Sequence, residues 1–362
     1  MTTTSTTSEA IDLDRVMAFA QQVGGIITGG ATTAMMALGD RLGLYAALAG
    51  AGPCSAGELA AATGTHERYV REWLAQQVAV GFVEHDAEAG TFGLPPEHAA
   101  VLATDDSPAS MIGAAPLISG LYRRIDELAA AFRTGDGIPW SDQDPGLFEA
   151  VERFFRVSYR NSLLSEWIPA LEGMHDKLTA GAEVADVGCG HGAALLLLAE
   201  AYPASRFVGY DAHGPSVETA NARAAAAGLA DRVRFEVHHA HDYPEGGFDL
   251  ITFFDTLHDL GDPVGAAAHA RDALAADGAV LLVEPRAGDD LATTVATAPF
   301  AAMGFAASTF LCTPNSLSQP VGLALGALSG ETRLREVLHA AGFCTVRRVA
   351  DNELNMVIEA RD

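Results

Sequence analysis

Residues 183–192 read EVADVGCGHG, and this stretch restricts the fold of the chain more than any other. Val184, Ala185, Val187 and Cys189 surround Asp186 and run into Gly188, Gly190 and Gly192, after which AALLLLAEAY continues at helical spacing. The pattern predicts a buried strand, a tight glycine turn and a helix N-terminus. Glycine removes the Cβ that would keep a ligand away from the backbone N–H groups of such a turn. A nucleotide-like molecule is the expected occupant.

The residues that follow repeat the unit. SRFVGYD reads as a second strand ending in Asp211, 23 residues after Gly188. That is about the spacing at which a carboxylate meets the ribose hydroxyls in doubly wound folds. SVETANARAAAAGL is a helix, RVRFEVHHA a strand, FDLITFFDTL an apolar strand, PVGAAAHARDAL a helix and GAVLLVEP a strand. Such alternation predicts an α/β fold, a mostly parallel sheet with helices on both faces. Gly188, Gly190 and Ala193 also satisfy the Ala-ending dinucleotide pattern, so the glycines alone admit NAD. Asp186 weighs against a pyrophosphate, which it would repel. A carboxylate buried at a strand end needs a cationic or donor partner, and a nucleoside carrying an ammonium provides one.

Composition narrows the class. At 362 residues, 49% hydrophobic and 19% charged, the chain has material for two globular domains. A formal charge of −25, with Lys177 as the single lysine, opposes a nucleic-acid partner. Cys54, Cys189, Cys312 and Cys344 lie far apart with no Cys-x-x-Cys pair, so neither a disulfide framework nor a zinc site is suggested, and a cytoplasmic location is expected. Residues 1–10, MTTTSTTSEA, lack the basic and apolar regions of a signal peptide and read as a disordered tail.

Residues 11–108 read as helices and a hairpin. Helical spacing from Ile11 is interrupted by Gly24, Gly25, Gly29 and Gly30, and a second helix is expected over 32–48. Ser55 and Glu58 make a capping box, Glu67–Val80 a further helix, and GFVEHDAEAGTFGL a hairpin. This is a winged-helix arrangement. Residues 1–110 hold 13 acidic and 4 basic residues, a net of −9, so dimerisation is expected of this domain rather than DNA binding.

Residues 109–166 read as a helical linker and pocket wall, with Phe155 and Tyr159 as candidate substrate contacts. Between Leu291 and Gly330 there is no Asp, Glu, Lys or Arg. Its apolar run is long enough for a membrane span, but Pro299 and the Thr/Ser content speak for a lid over 288–330. Met303, Phe305 and Phe310 would be its apolar walls, and Asn315, with Ser316 and Gln319, its polar positions. An uncharged lid suits a flat or hydrophobic acceptor.

DVGCGHG followed by GYD resembles the class I S-adenosylmethionine-dependent methyltransferases, and the order of elements over 167–362 is similar throughout. FCTVRRVADNELNMVIEARD looks like the closing antiparallel strands of that Rossmann-like sheet. The N-terminal region resembles the winged-helix dimerisation domain of small-molecule methyltransferases. DTLHDLGDP and NSLSQPVGLALGA resemble bacterial members of that group, some of them labelled regulators.

The resemblance implies S-adenosyl-L-methionine as cofactor. Gly188, Gly190 and Gly192 would lie against its methionine part, with Asp186 at the amino group and Asp211 at the ribose. Asp242 would meet the adenine amino group and Tyr243 line the ring; Asp242 as a solvent-facing loop residue is the alternative. Asp255 would face the methionine part or cap its loop. His258 occupies the place of the catalytic histidine of plant-type O-methyltransferases, oriented by Glu284 and, as a second acid, Glu331; a loop-capping role is the alternative. The reaction implied is methyl transfer to an O or N atom of a small, largely apolar metabolite, within a homodimer. C-methylation with the same cofactor and a ligand-sensing winged-helix regulator are the other readings. No metal is expected, although His238, His239 and His241 cluster in sequence, and no membrane association.

Overall fold

The computed structural model describes residues 11–244 and 246–362, so the tail expected over 1–10 lies outside the described residues. The chain divides into two units, one running to 104 and adding 109–119, the other comprising 105–108 and 120–362. The expected linker 109–166 is therefore shared between them. Most of it joins the second unit, because Tyr159, Leu163 and Trp167 bury in the same core as sheet residues Val184, Leu250 and Leu281.

In the first unit Asp12 caps α1 (Leu13–Arg41), its carboxylate accepting from the N–H groups of Asp14 and Arg15. Glycines 24, 25, 29 and 30 were expected to break this helix, yet it runs through them unbroken. An interior glycine costs only about 1 kcal/mol, and tertiary contacts hold the later turns. Trp73 Nε1 donates to the Met35 carbonyl at 2.9 Å, and Gly39 leaves the space the Trp73 ring occupies. After α2 (Leu44–Ala51), α3 (Ala56–Thr63) begins at the Ser55–Glu58 capping box. Next come α4 (Glu67–Ala79) and a hairpin of β1 (Glu84–Asp86) and β2 (Thr91–Gly93). Leu44, Leu48, Leu59, Val70, Trp73 and Leu74 form the core of this winged helix. On α4, Arg68 pairs with Glu72 and Arg71 with Glu67, so its cations are neutralised in place.

The second unit is built on a seven-stranded sheet in the order β5–β4–β3–β6–β7–β9–β8. These are β3 (Glu183–Val187), β4 (Arg206–Asp211), β5 (Val233–Val237), β6 (Phe248–Phe254), β7 (Leu274–Pro285), β8 (Thr345–Asp351) and β9 (Asn355–Arg361). β3 to β7 run parallel, and β9 lies antiparallel between β7 and β8. Strand side chains alternate between faces, and here both faces are covered. Val184, Leu281 and Val283 enter one core, while Ala185, Val187, Val280 and Leu282 enter the other. The helices Met174–Ala180, Ala193–Ala201 and Gly214–Ala226 serve the first face, and Pro263–Ala273 and Gly330–Ala340 the second. Chain order reverses between β3 and β6, where a doubly wound sheet opens a crevice beyond its carboxyl ends. The uncharged segment forms short helices at Leu291–Thr297, Ala301–Ala307 and Thr313–Leu317, with a π-helical turn at Ser308–Cys312. Among the described residues no helix is long and apolar enough to cross a membrane.

Candidate cofactor and base site

Asp186 is the penultimate residue of β3, at the carboxyl edge of the sheet. It is buried, and its Oδ1 accepts from Thr252 Oγ1 of the neighbouring β6 at 2.8 Å. Burial pushes its carboxyl up to about 7, against the Thr252 hydrogen bond and with added repulsion from Asp211. No salt bridge reaches it within the described residues, so a cation binding beside it would relieve this cost.

The glycine turn serves packing as much as ligand approach. A Cβ on Gly188 would lie 2.3 Å from the Thr256 side chain, and one on Gly192 2.5 Å from the Phe235 ring. Both residues have left-handed backbones, with φ of 75° and 78°. Of the three, Gly190 alone fronts open space, and its N–H donates to Asp211 Oδ2 at 2.8 Å. Asp211 Oδ1 accepts from the His213 N–H at 2.8 Å. Asp211 thus fastens the turn to the end of β4. Burial raises its carboxyl, with those two N–H bonds working in the other direction. His213 stacks on Phe148 with ring centroids 4.1 Å apart.

Past β6 the chain is strained. Asp255 has φ of 49°, a conformation that costs a non-glycine residue about 1–2 kcal/mol. Its N–H donates to the Val283 carbonyl at 2.8 Å, its Oδ1 accepts from Asn355 Nδ2 at 3.0 Å, and its carboxylate also meets the Tyr159 hydroxyl. Burial, reinforced by the Glu284 charge, holds this carboxyl well above the usual carboxylate range. Tyr159 belongs to the same neighbourhood. Its ring packs 5.2 Å from Phe254 and Phe155 stacks behind it at 6.4 Å. Burial and then the charges of Asp255 and Asp186 hold its phenol far above the ordinary value. Tyr159 therefore sits beside the two carboxylates, with Phe155 half-buried behind it.

His258 follows in a single 3-10 turn, Leu257–Asp259, and is 3% exposed. Glu284, at the end of β7, accepts from the His258 backbone N–H at 3.3 Å through Oε1 and meets ring Nδ1 through Oε2. Nε2 lies 3.2 Å from Asp259 Oδ1, close enough for the carboxylate to act on the ring. Burial disfavours a charged imidazole, but Glu284 and then Asp259 outweigh it and hold His258 well above its ordinary value. The second acid beside His258 is thus Asp259. The expected Glu331 instead pairs with Arg335 and Arg348 on the far helix and strand, where its side chain is committed.

The uncharged segment is tied to this turn by polar groups. Asn315 Nδ2 donates to the Asp259 carbonyl at 3.0 Å while its Oδ1 accepts from the Trp140 N–H at 3.0 Å. Ser316 Oγ donates to the Leu260 carbonyl at 2.8 Å, and Gln319 bridges Asp259 and Gly261. Asn315 was expected to contact substrate; here its amide links the Asp259 carbonyl to the Trp140 N–H. Met303, Phe305 and Phe310 are half-buried on the same segment.

Two expected adenine contacts sit differently. Tyr243 is 1% exposed, stacked on Tyr210 at 4.7 Å and edge-on to His269, so no ring face is left to line a cleft. Its aromatic area is drawn into the second core. Asp242 is exposed and caps its own loop by accepting from the His239 N–H at 2.8 Å. His239 and His241 stack on each other at 5.7 Å.

Thr252, Asn355, Asp259 and Cys312 were not singled out by the sequence. Asp259 was readable beside His258 and Thr252 lies six residues before it, whereas Asn355 and Cys312 come from segments far away in the chain. The expected Asp186, Gly188, Gly190, Gly192, Asp211, Asp255, His258 and Glu284 all fall at the carboxyl edge of the parallel strands.

Comparisons agree with this architecture. Residues 30–104 match a family model described as an Rv2258c-like winged HTH domain, and residues 178–342 one described as a methyltransferase domain. Human N-acetylserotonin methyltransferase, solved in complex with SAM, superposes with a TM-score of 0.70 at 18% identity, covering 98% of this chain and 99% of that one. The mitomycin 7-O-methyltransferase aligns with a TM-score of 0.67 at 19% identity over 97% of this chain and 100% of that one. An O-methyltransferase from neocarzinostatin biosynthesis, solved with S-adenosyl-L-homocysteine and 1,4-dihydroxy-2-naphthoic acid, gives 0.62 at 23% identity over 92% and 96%.

Proposed function

We propose, for a chain that belongs to the class I methyltransferases and carries an N-terminal winged-helix domain, that it transfers a methyl group from S-adenosyl-L-methionine to an oxygen of a small, largely apolar metabolite. The observation that carries this reading is the pairing of two sites at one sheet edge. Asp186 is a buried carboxylate in need of a cation, and His258 is a buried imidazole locked by Glu284.

S-adenosylmethionine, when bound, supplies a methyl group on a positively charged sulfur that is already activated to leave. Asp186 takes the ammonium of its amino-acid part, Gly190 admits it close to the backbone, and Asp211 accepts from the ribose hydroxyls. Asp255, hydrogen-bonded to Tyr159, would lie on the methionine side. His258 accepts the hydroxyl proton of the acceptor at Nε2, because Nδ1 is held by Glu284. A carboxylate behind the ring both aims it and stabilises the imidazolium that forms. The uncharged segment, with Met303, Phe305 and Phe310, provides apolar contacts for the acceptor. A hydroxyl on an aromatic or polycyclic body suits this lining better than a phosphorylated compound.

The winged-helix domain serves pairing of two copies. The first half of α1 leaves Leu13, Met17, Phe19, Ile26 and Ile27 exposed, an apolar stripe that a second copy of this chain would cover. The net charge of −9 over residues 1–110 and the internal ion pairs of α4 oppose a DNA-binding role. Free thiols at Cys54, Cys189, Cys312 and Cys344 are in keeping with a cytoplasmic location.

The test is a panel of phenolic and alcoholic acceptors incubated with S-adenosylmethionine, with product mass and S-adenosylhomocysteine release as readouts. His258→Ala should bind the cofactor normally while single-turnover methylation falls about 10²-fold or more. Near-wild-type turnover in that variant would remove His258 from the mechanism.

A further inference from the structure

We propose that His258, Asp259 and Cys312 form a binding site for one thiophilic divalent cation of the zinc type. A ring nitrogen of His258, a carboxylate oxygen of Asp259 and the Cys312 sulfur lie within 4.8 Å of one another. Nδ1 of the imidazole is taken by Glu284, so Nε2 is the nitrogen available, and it lies 3.2 Å from Asp259 Oδ1. Zinc holds nitrogen, oxygen and sulfur ligands at ~2.0–2.3 Å in a tetrahedron. Ligand atoms in such a shell are themselves separated by ~3–4 Å. The three donors, within 4.8 Å of one another, are close to that spacing.

Three further observations fit an ion and not a packing accident. A zinc-bound imidazole characteristically passes its other ring nitrogen to a carboxylate, and the Glu284–His258 pair has that arrangement. Asp259 Oδ1 is buried and turned toward the same two groups, 3.2 Å from His258 Nε2. The Cys312 sulfur makes a weak 3.8 Å contact with the Ala307 carbonyl and hydrogen-bonds to the other two donors, His258 and Asp259, so the three groups already converge on one another. Nitrogen, oxygen and thiolate together select a borderline-soft ion over magnesium or calcium. Three protein ligands leave a fourth position for water or another oxygen.

The donors come from two separate elements, the Leu257–Asp259 turn and the Ser308–Cys312 turn. Asn315, Ser316 and Gln319 clamp those elements together. An ion seated there occupies the Nε2 lone pair and keeps His258 from accepting a proton, so zinc would suppress methyl transfer. That consequence rests on the proposed function; the binding itself does not.

Cobalt(II) titrated into the reduced wild-type protein tests the site without any methylation assay. A thiolate-to-cobalt charge-transfer band should saturate at one equivalent and bleach when zinc is added. Cys312→Ser should lose the band, while Cys344→Ser, at the exposed cysteine, should keep it. Glu284→Gln should weaken zinc affinity about 10–10²-fold, as loss of such an outer carboxylate does. Asp259→Ala, at a partly exposed position, should shift the visible cobalt spectrum and provides a second variant should Cys312→Ser fold poorly. A wild-type protein without the band, or a band that survives in Cys312→Ser, would overturn the proposal. If the band appears and zinc leaves methylation unchanged, the cation site stands and the role of His258 as base falls.

Discussion

Glu284 holds His258 at two points, the backbone N–H through Oε1 at 3.3 Å and the ring Nδ1 through Oε2. The two residues are 26 positions apart, and both are buried. The register of β7 beside β6 sets this contact, since Glu284 continues the Val280, Leu282 series at the strand end. A carboxylate fastened to both backbone and ring leaves the imidazole little freedom to turn. Glu284→Gln keeps the shape and removes the charge. We expect cofactor affinity to change little and kcat to fall about 10²-fold, with the remaining activity shifted toward lower pH. Stopped-turnover rates across pH would show it; an unchanged profile would mean that Glu284 only packs.

Asp259 acts on the same ring from the other side. A base works in its neutral form, so the rate should rise with pH through the folded value of His258, which the two carboxylates hold well above the ordinary 6.5. Replacing Asp259 by Asn removes one of these charges and should move the rising limb to lower pH. A limb near the ordinary histidine value in the wild-type protein would count against this electrostatic account.

Asp186 ties stability to pH. Its folded value of about 7 exceeds the ordinary 3.8, so the folded state binds this proton more tightly than the unfolded chain. The resulting stabilisation is present below pH ~4 and is lost as pH rises through ~7. Asp186→Asn abolishes the penalty of ionisation. We expect the cofactor-free variant to melt higher than wild type at pH 8 and similarly to it at pH 4, below which the stabilisation is fully present. Cofactor affinity should fall about 10–10²-fold as a charged hydrogen bond is lost. Melting curves at the two pH values, with and without cofactor, separate these effects; a variant less stable at pH 8 would refute the assignment.

The glycines of the turn should respond unequally. Gly192→Ala combines a φ of 78° with a Cβ 2.5 Å from Phe235, and should cost about 2–4 kcal/mol in chemical denaturation. Gly190→Ala meets open space at φ 52°, so its stability cost should be about 1 kcal/mol. Its effect should fall on cofactor binding instead. Equal destabilisation of the two variants would contradict this division.

The exposed stripe of α1 can be charged without touching a core. Phe19→Glu with Ile26→Glu should convert a dimer into a monomer in light scattering while helicity is retained. A wild-type protein that is already monomeric would remove the pairing role from this helix.

The sequence by itself determined the parallel sheet, the strand–glycine–helix turn and the carboxylates that end β3 and β4. These follow from local rules: uninterrupted apolar runs, glycine where a Cβ cannot fit, and charge placed where strands stop. The winged helix was equally legible, because its capping box and hairpin are signals a few residues long. Tertiary structure decided what each polar side chain was free to do. Asn315 read as a substrate contact, and its amide proved to be shared between Trp140 and Asp259, 175 and 56 positions away. Tyr243 read as a ring-facing residue, and Tyr210 and His269 drew it into the core. Glu331 and Asp259 were equally acidic on paper, but only the turn after β6 brought one of them to His258. Hydrogen bonds and ion pairs are short-ranged and directional, so their partners follow from packing in three dimensions. In EVADVGCGHG the pattern announced a ligand turn. The fold then assigned Gly188 and Gly192 to packing, Gly190 to open space, and Asp186 to a burial that calls for a cation.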